Sequence, residues 1–305
     1  MKKVLSQLLL VVLLLSLSAC SASSENKATS DDGNKNSQTE NTEAYSVENT
    51  ESVQAIAFDE YTAIDNDECS IKITGIEPDN TWGYTVTVEL ENKNQEKTYM
   101  FSVESAAVNN VQTDPFFATE VAPEKKAKGD ITFTDSSLED EIGEYTQIEL
   151  TFRVYDSDDW MADPVANETV TIYPYGEDRA QNYMRDAQPS DLVLIDNDNV
   201  TVVALGYNPD DIWGFTANLY LVNKTDSEVM FSVDDASVNG YMMDPFFAKS
   251  ILPGKCAFTS LSWDSSSLED NGIETVQEIE MRIRAYDANN WMGDDFANEV
   301  VTLNT

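Results

Sequence analysis

Histidine is absent from all 305 residues. That absence excludes Ser-His-Asp and Cys-His catalysis, zinc held by imidazole, and histidine-based pH switching. Basic residues are scarce: 18 Lys and Arg stand against 56 Asp and Glu, for a formal net charge of −38. Phosphate binding needs a basic footprint, so nucleic acid is excluded as a partner. Anionic lipid heads are an equally poor electrostatic match. The plain reading of the acidity is solubility, with cation binding as the functional alternative. Cysteine is limited to Cys20, Cys69 and Cys256. Cys69 shares one strand face with Ile71 and Ile73 and is expected inside. Cys256 has the opposite parity from Ala257, Leu261 and Trp263 and is expected outside. A disulfide between them is not expected, and the chain has too few ligands for a zinc site. The longest apolar run, Val4 to Leu17, is interrupted by Ser6, Gln7 and Ser16. It falls short of the roughly 20 residues a membrane-spanning helix needs. No catalytic constellation is present. Paired carboxylates are the most plausible acid–base option, and neither half of the chain carries an insertion that would build a cleft around them.

What the sequence does contain is a long repeat. Asp114-Pro115-Phe116-Phe117-Ala118 recurs as Asp244-Pro245-Phe246-Phe247-Ala248. Pro78-Asp79-Asn80-Thr81-Trp82-Gly83 recurs as Pro209-Asp210-Asp211-Ile212-Trp213-Gly214, and Ser136-Ser137-Leu138-Glu139-Asp140 as Ser266-Ser267-Leu268-Glu269-Asp270. The offset holds at 130 or 131, and each copy spans about 115 residues, the size of a self-sufficient domain. The apolar period is two. Tyr84, Val86, Val88 and Leu90 alternate with Thr85, Thr87 and Glu89, and Phe215, Ala217, Leu219 and Leu221 do the same in the second copy. Ile148 to Val154 and Ile279 to Ala285 repeat the pattern. These are strands with one buried and one wet face, as in antiparallel sheets.

Further strands are expected at Leu192–Ile195, Val200–Tyr207, Val229–Val233, Ala257–Trp263 and Glu299–Leu303. Turn signals fall at Asp196-Asn197-Asp198, Asn208-Pro209-Asp210-Asp211, Asn223 to Asp226 and Pro253-Gly254. About seven short strands per copy predict two tandem antiparallel β-sandwiches, an all-β chain. A helical turn is expected at Ser266–Asn271, capped by Ser266 or Ser267 with Glu269-Asp270 in its first turn.

At the start, Met1-Lys2-Lys3, the apolar run and then Leu17-Ser18-Ala19-Cys20 resemble the lipobox of bacterial lipoproteins. The resemblance implies cleavage before Cys20, lipidation of that cysteine, and anchoring to the extracytoplasmic face of the cell membrane. Several acyl chains would anchor stably where one would not. Loss of Lys2 and Lys3 with the leader would take the net charge to −40. The two copies resemble the immunoglobulin-like domains of bacterial surface lipoproteins, although the antibody-type Cys-Trp-Cys pattern is absent. The expected organisation is a signal peptide over 1–19, a disordered tether over 20–55, immunoglobulin-like sandwiches over 56–172 and 191–305, and a linker over 173–190 forming a short helix or hinge. The tether is rich in Ser, Asn, Glu and Thr and would reach roughly 30–35 Å.

Three features are candidates for function. Asp156, Asp158 and Asp163, with Asp287, Asp294 and Asp295 in the second copy, are possible calcium ligands, since calcium takes six to eight oxygens. Their spacing is not that of an EF-hand, and Asp in such loops more often shapes turns. No other cofactor is implied. Trp82, Trp213, Trp160 and Trp291 could stack on sugar rings, but core packing is the stronger expectation. Phe116-Phe117 and Phe246-Phe247 are candidate binding residues. Adjacent strand residues point to opposite faces, so one Phe of each pair is expected to be exposed. The reading that results is a non-enzymatic binding or interaction module at the bacterial surface, whose partner is a surface protein or glycan. A calcium- or glycan-binding module and a ligand-free spacer are the alternatives.

Overall fold

Alternating apolar residues make the strands, and two faces of such strands make each core. The computed structural model describes residues 56–305. The expected signal peptide, Cys20 and the tether lie outside the described residues. In the first copy β1 (Tyr61–Asp65), β2 (Cys69–Glu77), β3 (Tyr84–Asn92) and β7 (Lys126–Phe133) form one sheet in the order β1-β2-β3-β7. Facing it are β4 (Tyr99–Val108), β8 (Ile148–Asp156) and β9 (Ala166–Ile172), with β5 (Val111–Thr113) and β6 (Ala118–Val121) both paired to β4. The second copy repeats this with β10 (Leu192–Asp196), β11 (Val200–Asp211), β12 (Gly214–Asn223) and β16 (Cys256–Trp263) in one sheet. Its partner sheet holds β13 (Val229–Val238), β14 (Tyr241–Met242), β15 (Ala248–Ile251), β17 (Glu278–Asp287) and β18 (Ala297–Asn304). Strands that cross between two facing antiparallel sheets in this order make an immunoglobulin-like sandwich.

Each sandwich has its own core. In the first, Val86, Val88 and Leu90 of β3 meet Phe101, Leu150, Phe152 and Val154 of the opposite sheet. In the second, Ala217, Leu219 and Leu221 of β12 meet Phe231, Met281 and Ile283. Every position expected to face inward on these strands is buried, and each fully buried aliphatic or aromatic side chain contributes about 1.5–3 kcal/mol. A register shift between Ile73 and Gly75 recurs between Ala204 and Gly206, so even the bulge is copied. Asn92 is buried and satisfied: its amide donates to the carbonyls of Lys97 and Val121, both at 2.8 Å. Asn223 does the same toward Ser227 and Ile251, at 2.7 and 2.9 Å.

Some local expectations change. β11 runs through Asn208 to Asp211 and pairs Asp211 with Gly214, so the strand continues where Pro209 suggested a turn. The helical turn is present as α2 (Ser265–Asp270), but Asp264 caps it, accepting from the Ser267 N–H at 2.9 Å. The serines donate to that carboxylate instead of capping the helix themselves. The first copy carries the related α1 (Ser136–Ile142).

The segment 173–190 holds a single 3-10 turn, Glu177–Arg179, and no longer helix. It is fastened along the first copy and reaches the second. The Tyr183 N–H donates to the Asn109 carbonyl at 2.6 Å, its hydroxyl to Glu141 at 2.5 Å, and its ring meets Phe258 at 5.9 Å. Arg185 forks onto Asp191 at 2.6 and 3.0 Å.

The two sandwiches meet directly. β5 pairs with β16 in parallel at Val111 and Cys256, so one sheet runs from the first copy into the second. Cys256 does face away from its own core, yet it is buried, because Val111 and Leu138 of the first copy cover it. This corrects the expectation that its thiol is outside. Both thiols are free, and burial pushes Cys69 up to about 11 and Cys256 upward as well.

Candidate functional site

Trp82 sits in the turn after β2, and Trp213 in the turn after β11. Asn80 accepts from the Trp82 N–H, and Asp211 from the Trp213 N–H, each at 3.1 Å. The next residue must be glycine. Gly83 has φ 120° and Gly214 φ 106°, and a Cβ there would lie 2.1 Å from the carbonyl oxygen of Phe133 or Trp263. The turn is thus pressed onto the end of the neighbouring strand, and the indole projects outward. Trp82 is 78% exposed and Trp213 72%.

The second pair lies on loops at the opposite end of each sandwich. Asp156 accepts from the Asp158 N–H at 3.0 Å and Asp287 from the Asn289 N–H at 2.8 Å. Further backbone turns follow, through Ala162 to Asp159 and Gly293 to Asn290. Trp160 and Trp291 are 64% and 67% exposed. All four tryptophans therefore contradict the expectation of core packing. They stand on turns beyond the strand ends, where no opposing sheet covers them. The one buried tryptophan is Trp263, on the inward face of β16.

The Phe pairs split as expected, one out and one in, although they lie just before β6 and β15 rather than within a strand. Phe116 and Phe246 are 90% and 93% exposed, whereas Phe117 is buried and Phe247 half-buried. Phe117 lies directly on Gly129, where an added Cβ would come within 2.6 Å of the ring. The second copy has Thr259 at that position, and its Phe247 is less buried than Phe117.

Three of the six acidic candidates, Asp156, Asp287 and Asp295, are engaged individually. Asp156 pairs with Lys97 at 3.0 Å, and that contact with the Asp158 N–H holds its carboxyl below the usual range. Asp295 accepts a fork from Arg284 at 3.0 and 2.9 Å and a bond from Asn298 at 2.7 Å, and is likewise lowered. Asp158, Asp163 and Asp294 are exposed. Among the described residues, no three His, Cys, Asp or Glu converge to hold a metal ion. A calcium ion would first have to displace the bonds just named.

Trp213 and Phe246 line one groove. With Met242 they border this groove of about 970 Å³ floored by Met243 and Trp263, with Ser260 and Ser262 on one wall. Asp244, Asp264 and Asp270 ring it. Trp263 donates its indole N–H to the Met243 carbonyl at 2.9 Å, which fixes the floor. Sequence reasoning singled out Trp213 and Phe246 but missed Met242. Its signal was a break in the repeat: Met242-Met243 replace Gln112-Thr113. A second, polar groove of about 840 Å³ lies between the copies, lined by Glu104, Glu149, Thr151, Lys249 and Lys255.

No family model matches the chain, and no curated protein matches it. Among solved structures it is similar to the YadV chaperone at 12% identity, over 72% of this chain and 92% of that one, with a TM-score of 0.22. The CsuC–CsuE chaperone–tip adhesion subunit complex of Acinetobacter baumannii matches at 10% identity, over 72% and 90%, with a TM-score of 0.22. The exo-chitosanase CsxA of Amycolatopsis orientalis matches at 12%, over 79% of this chain but 27% of its own, with a TM-score of 0.22. At such scores these likenesses carry no information about what this chain binds.

Proposed function

We propose that the chain is a lipid-anchored, extracytoplasmic binding module of the bacterial surface, without catalytic activity. The lipid on Cys20 holds it, the segment over 20–55 gives it reach, and the two copies present equivalent surfaces to a surface protein or glycan. The observation that supports this most is the repetition of exposed aromatics. Trp82/Trp213, Trp160/Trp291 and Phe116/Phe246 occur in both copies, stand on ordered turns or beside them, and contribute little to either core. Exposed Trp, Tyr and Phe on rigid turns are what hot spots are made of. Two equivalent surfaces on one anchored chain gain from effective concentration when the partner repeats.

The test uses the full chain in two comparisons. Cys20→Ser should abolish palmitate labelling and move the protein from the membrane fraction to the soluble one. Replacing Trp82, Trp160, Trp213 and Trp291 by Ala should leave the melting temperature within a few degrees, because exposed side chains contribute about 0.5 kcal/mol or less each. The same variant should lose binding to an array of immobilised surface proteins and cell-surface glycans. Retained binding by the four-fold variant would take the tryptophans out of the binding surface, and no binding by the parent chain would favour the spacer reading.

A further inference from the structure

The binding-module reading can be narrowed to one groove and one kind of occupant. In the first copy the β4–β5 hairpin is a docking element. Val111 is fully buried, the Asn110 carbonyl accepts from the Cys256 N–H at 3.2 Å, and Gln112 donates to Ser250 and accepts from Leu252, both at 2.9 Å. Its counterpart in the second copy, the β13–β14 hairpin, is left open, with Tyr241 51% and Met242 69% exposed. A second copy of the chain does not fit this end in the same manner. Gly240 has no side chain to replace the Asn110 amide, which donates to the Gly254 carbonyl at 2.9 Å, Met242 cannot make the bonds of Gln112, and the receiving strand would offer Lys126 in place of Cys256.

Three properties define a different occupant. The rim is acidic, through Asp244, Asp264 and Asp270, and no Lys or Arg lines the groove. The Trp213 and Phe246 faces suit the alkyl stem of a lysine or the plane of a guanidinium. The third property is the edge of β16. The Cys256 N–H and the Ser262 carbonyl both bond away from β12, to Asn110 and Phe246. Strand parity puts the N–H and C=O of Ser260 on that same outward edge. Among the described residues no backbone group pairs with them. The equivalent edge of β7 carries Lys126, Lys128 and Asp130, the charges with which proteins guard open edges, whereas β16 has Cys256, Phe258 and Ser260.

We propose that this groove takes an extended basic segment of a protein partner. Its main chain pairs with Ser260 on the β16 edge, and a Lys or Arg lies against Trp213 and Phe246 with its charge facing Asp244, Asp264 and Asp270. The probe is a fluorescently labelled peptide of about ten residues with alternating Val and Lys, and its Val and Glu counterpart as control, titrated by anisotropy with the full chain. The Lys peptide should bind and the Glu peptide should not. Trp213→Ala and Ser260→Pro should each weaken binding by at least about tenfold, and Val300→Ala, at an exposed position on β18, should not. Ser260→Pro removes an N–H that faces away from β12, so the β12–β16 ladder stays intact. Phe246→Ala, at a side chain outside the core, is the second variant should the proline disturb the strand. Equal affinity for parent and groove variants would overturn the proposal, leaving only attraction to an acidic surface. Glycan binding or self-association that the same variants abolish would also overturn it, by assigning the groove another occupant. If groove variants keep all surface binding while the four-fold tryptophan variant loses it, this inference falls and the binding-module reading stands.

Discussion

The Tyr84 hydroxyl is buried in the first core and has no hydrogen-bond partner among the described residues. Its ring packs on Tyr145 at 4.5 Å and on Phe133 at 6.5 Å, and desolvation drives its ionisation far upward. The second copy places Phe215 at the same position. Tyr84→Phe removes an unsatisfied buried group at almost no change of shape and should raise stability by about 1 kcal/mol in urea denaturation. A loss of stability would mean that the hydroxyl has a partner. Gly214→Ala should do the opposite, costing about 2 kcal/mol or more, because it adds a clash with a backbone oxygen to a left-handed residue. Such positions show where the sequence was readable and where it was not. The split of the Phe pairs follows from two adjacent residues pointing opposite ways. The exposure of Trp82 and Trp160 does not, because hydrophobicity assigns an indole to the core whether or not a second sheet is there to cover it.

At the level of elements, period-two alternation placed the inward faces of β3, β8, β12 and β17 correctly, because one wet and one dry face leave register little choice. Short elements were less legible. The cap of α2 was assigned to serines that instead donate to Asp264, and their hydroxyls with the Ser267 N–H bring that carboxyl down to about 2. Its pKa in the folded chain is lower than in the unfolded one. The cap therefore stabilises fully above the ordinary value of 3.8 and is lost as pH falls toward 2. Asp264→Ala should lower the melting temperature at pH 6, and the gap to the parent chain should close across that acid window. A gap that persists unchanged at pH 2 would mean that the charge of Asp264 plays no part. Phe117 on Gly129 is the other element-level device, since it clips the chain before β6 onto β7. Gly129→Ala should force the ring aside and cost about 1–3 kcal/mol in a denaturant melt, by overpacking.

At the scale of the whole molecule, the repeat announced two sandwiches but gave no hint of how they join. The joint has no period of its own. It gathers Val111 from a hairpin, Leu138 from α1, Tyr183 from the segment over 173–190 and Cys256 from a strand edge. Charged pairs frame it, Lys255 with Glu149 at 2.5 Å and Lys249 with Asp114 at 2.6 Å. The first pair is partly buried and fixes orientation more than it adds stability, whereas Asp114 is exposed and its pair contributes little. Val111 is the fully buried apolar residue at the centre, and an unpaired carboxylate there has no partner to offset its desolvation. Val111→Asp should therefore part the copies while each core, built from its own residues, stays folded. Cys256 supplies the readout. In the parent chain Cys69 and Cys256 are buried and maleimide should label neither quickly. In the variant Cys256 should react while Cys69, packed with Ile71 and Ile73 inside the first core, stays protected, and calorimetry should resolve two melting transitions in place of one. Joint labelling of both cysteines would show that the first core does not survive alone. A Cys256 as slow as in the parent chain would show that Val111 is not what closes the joint.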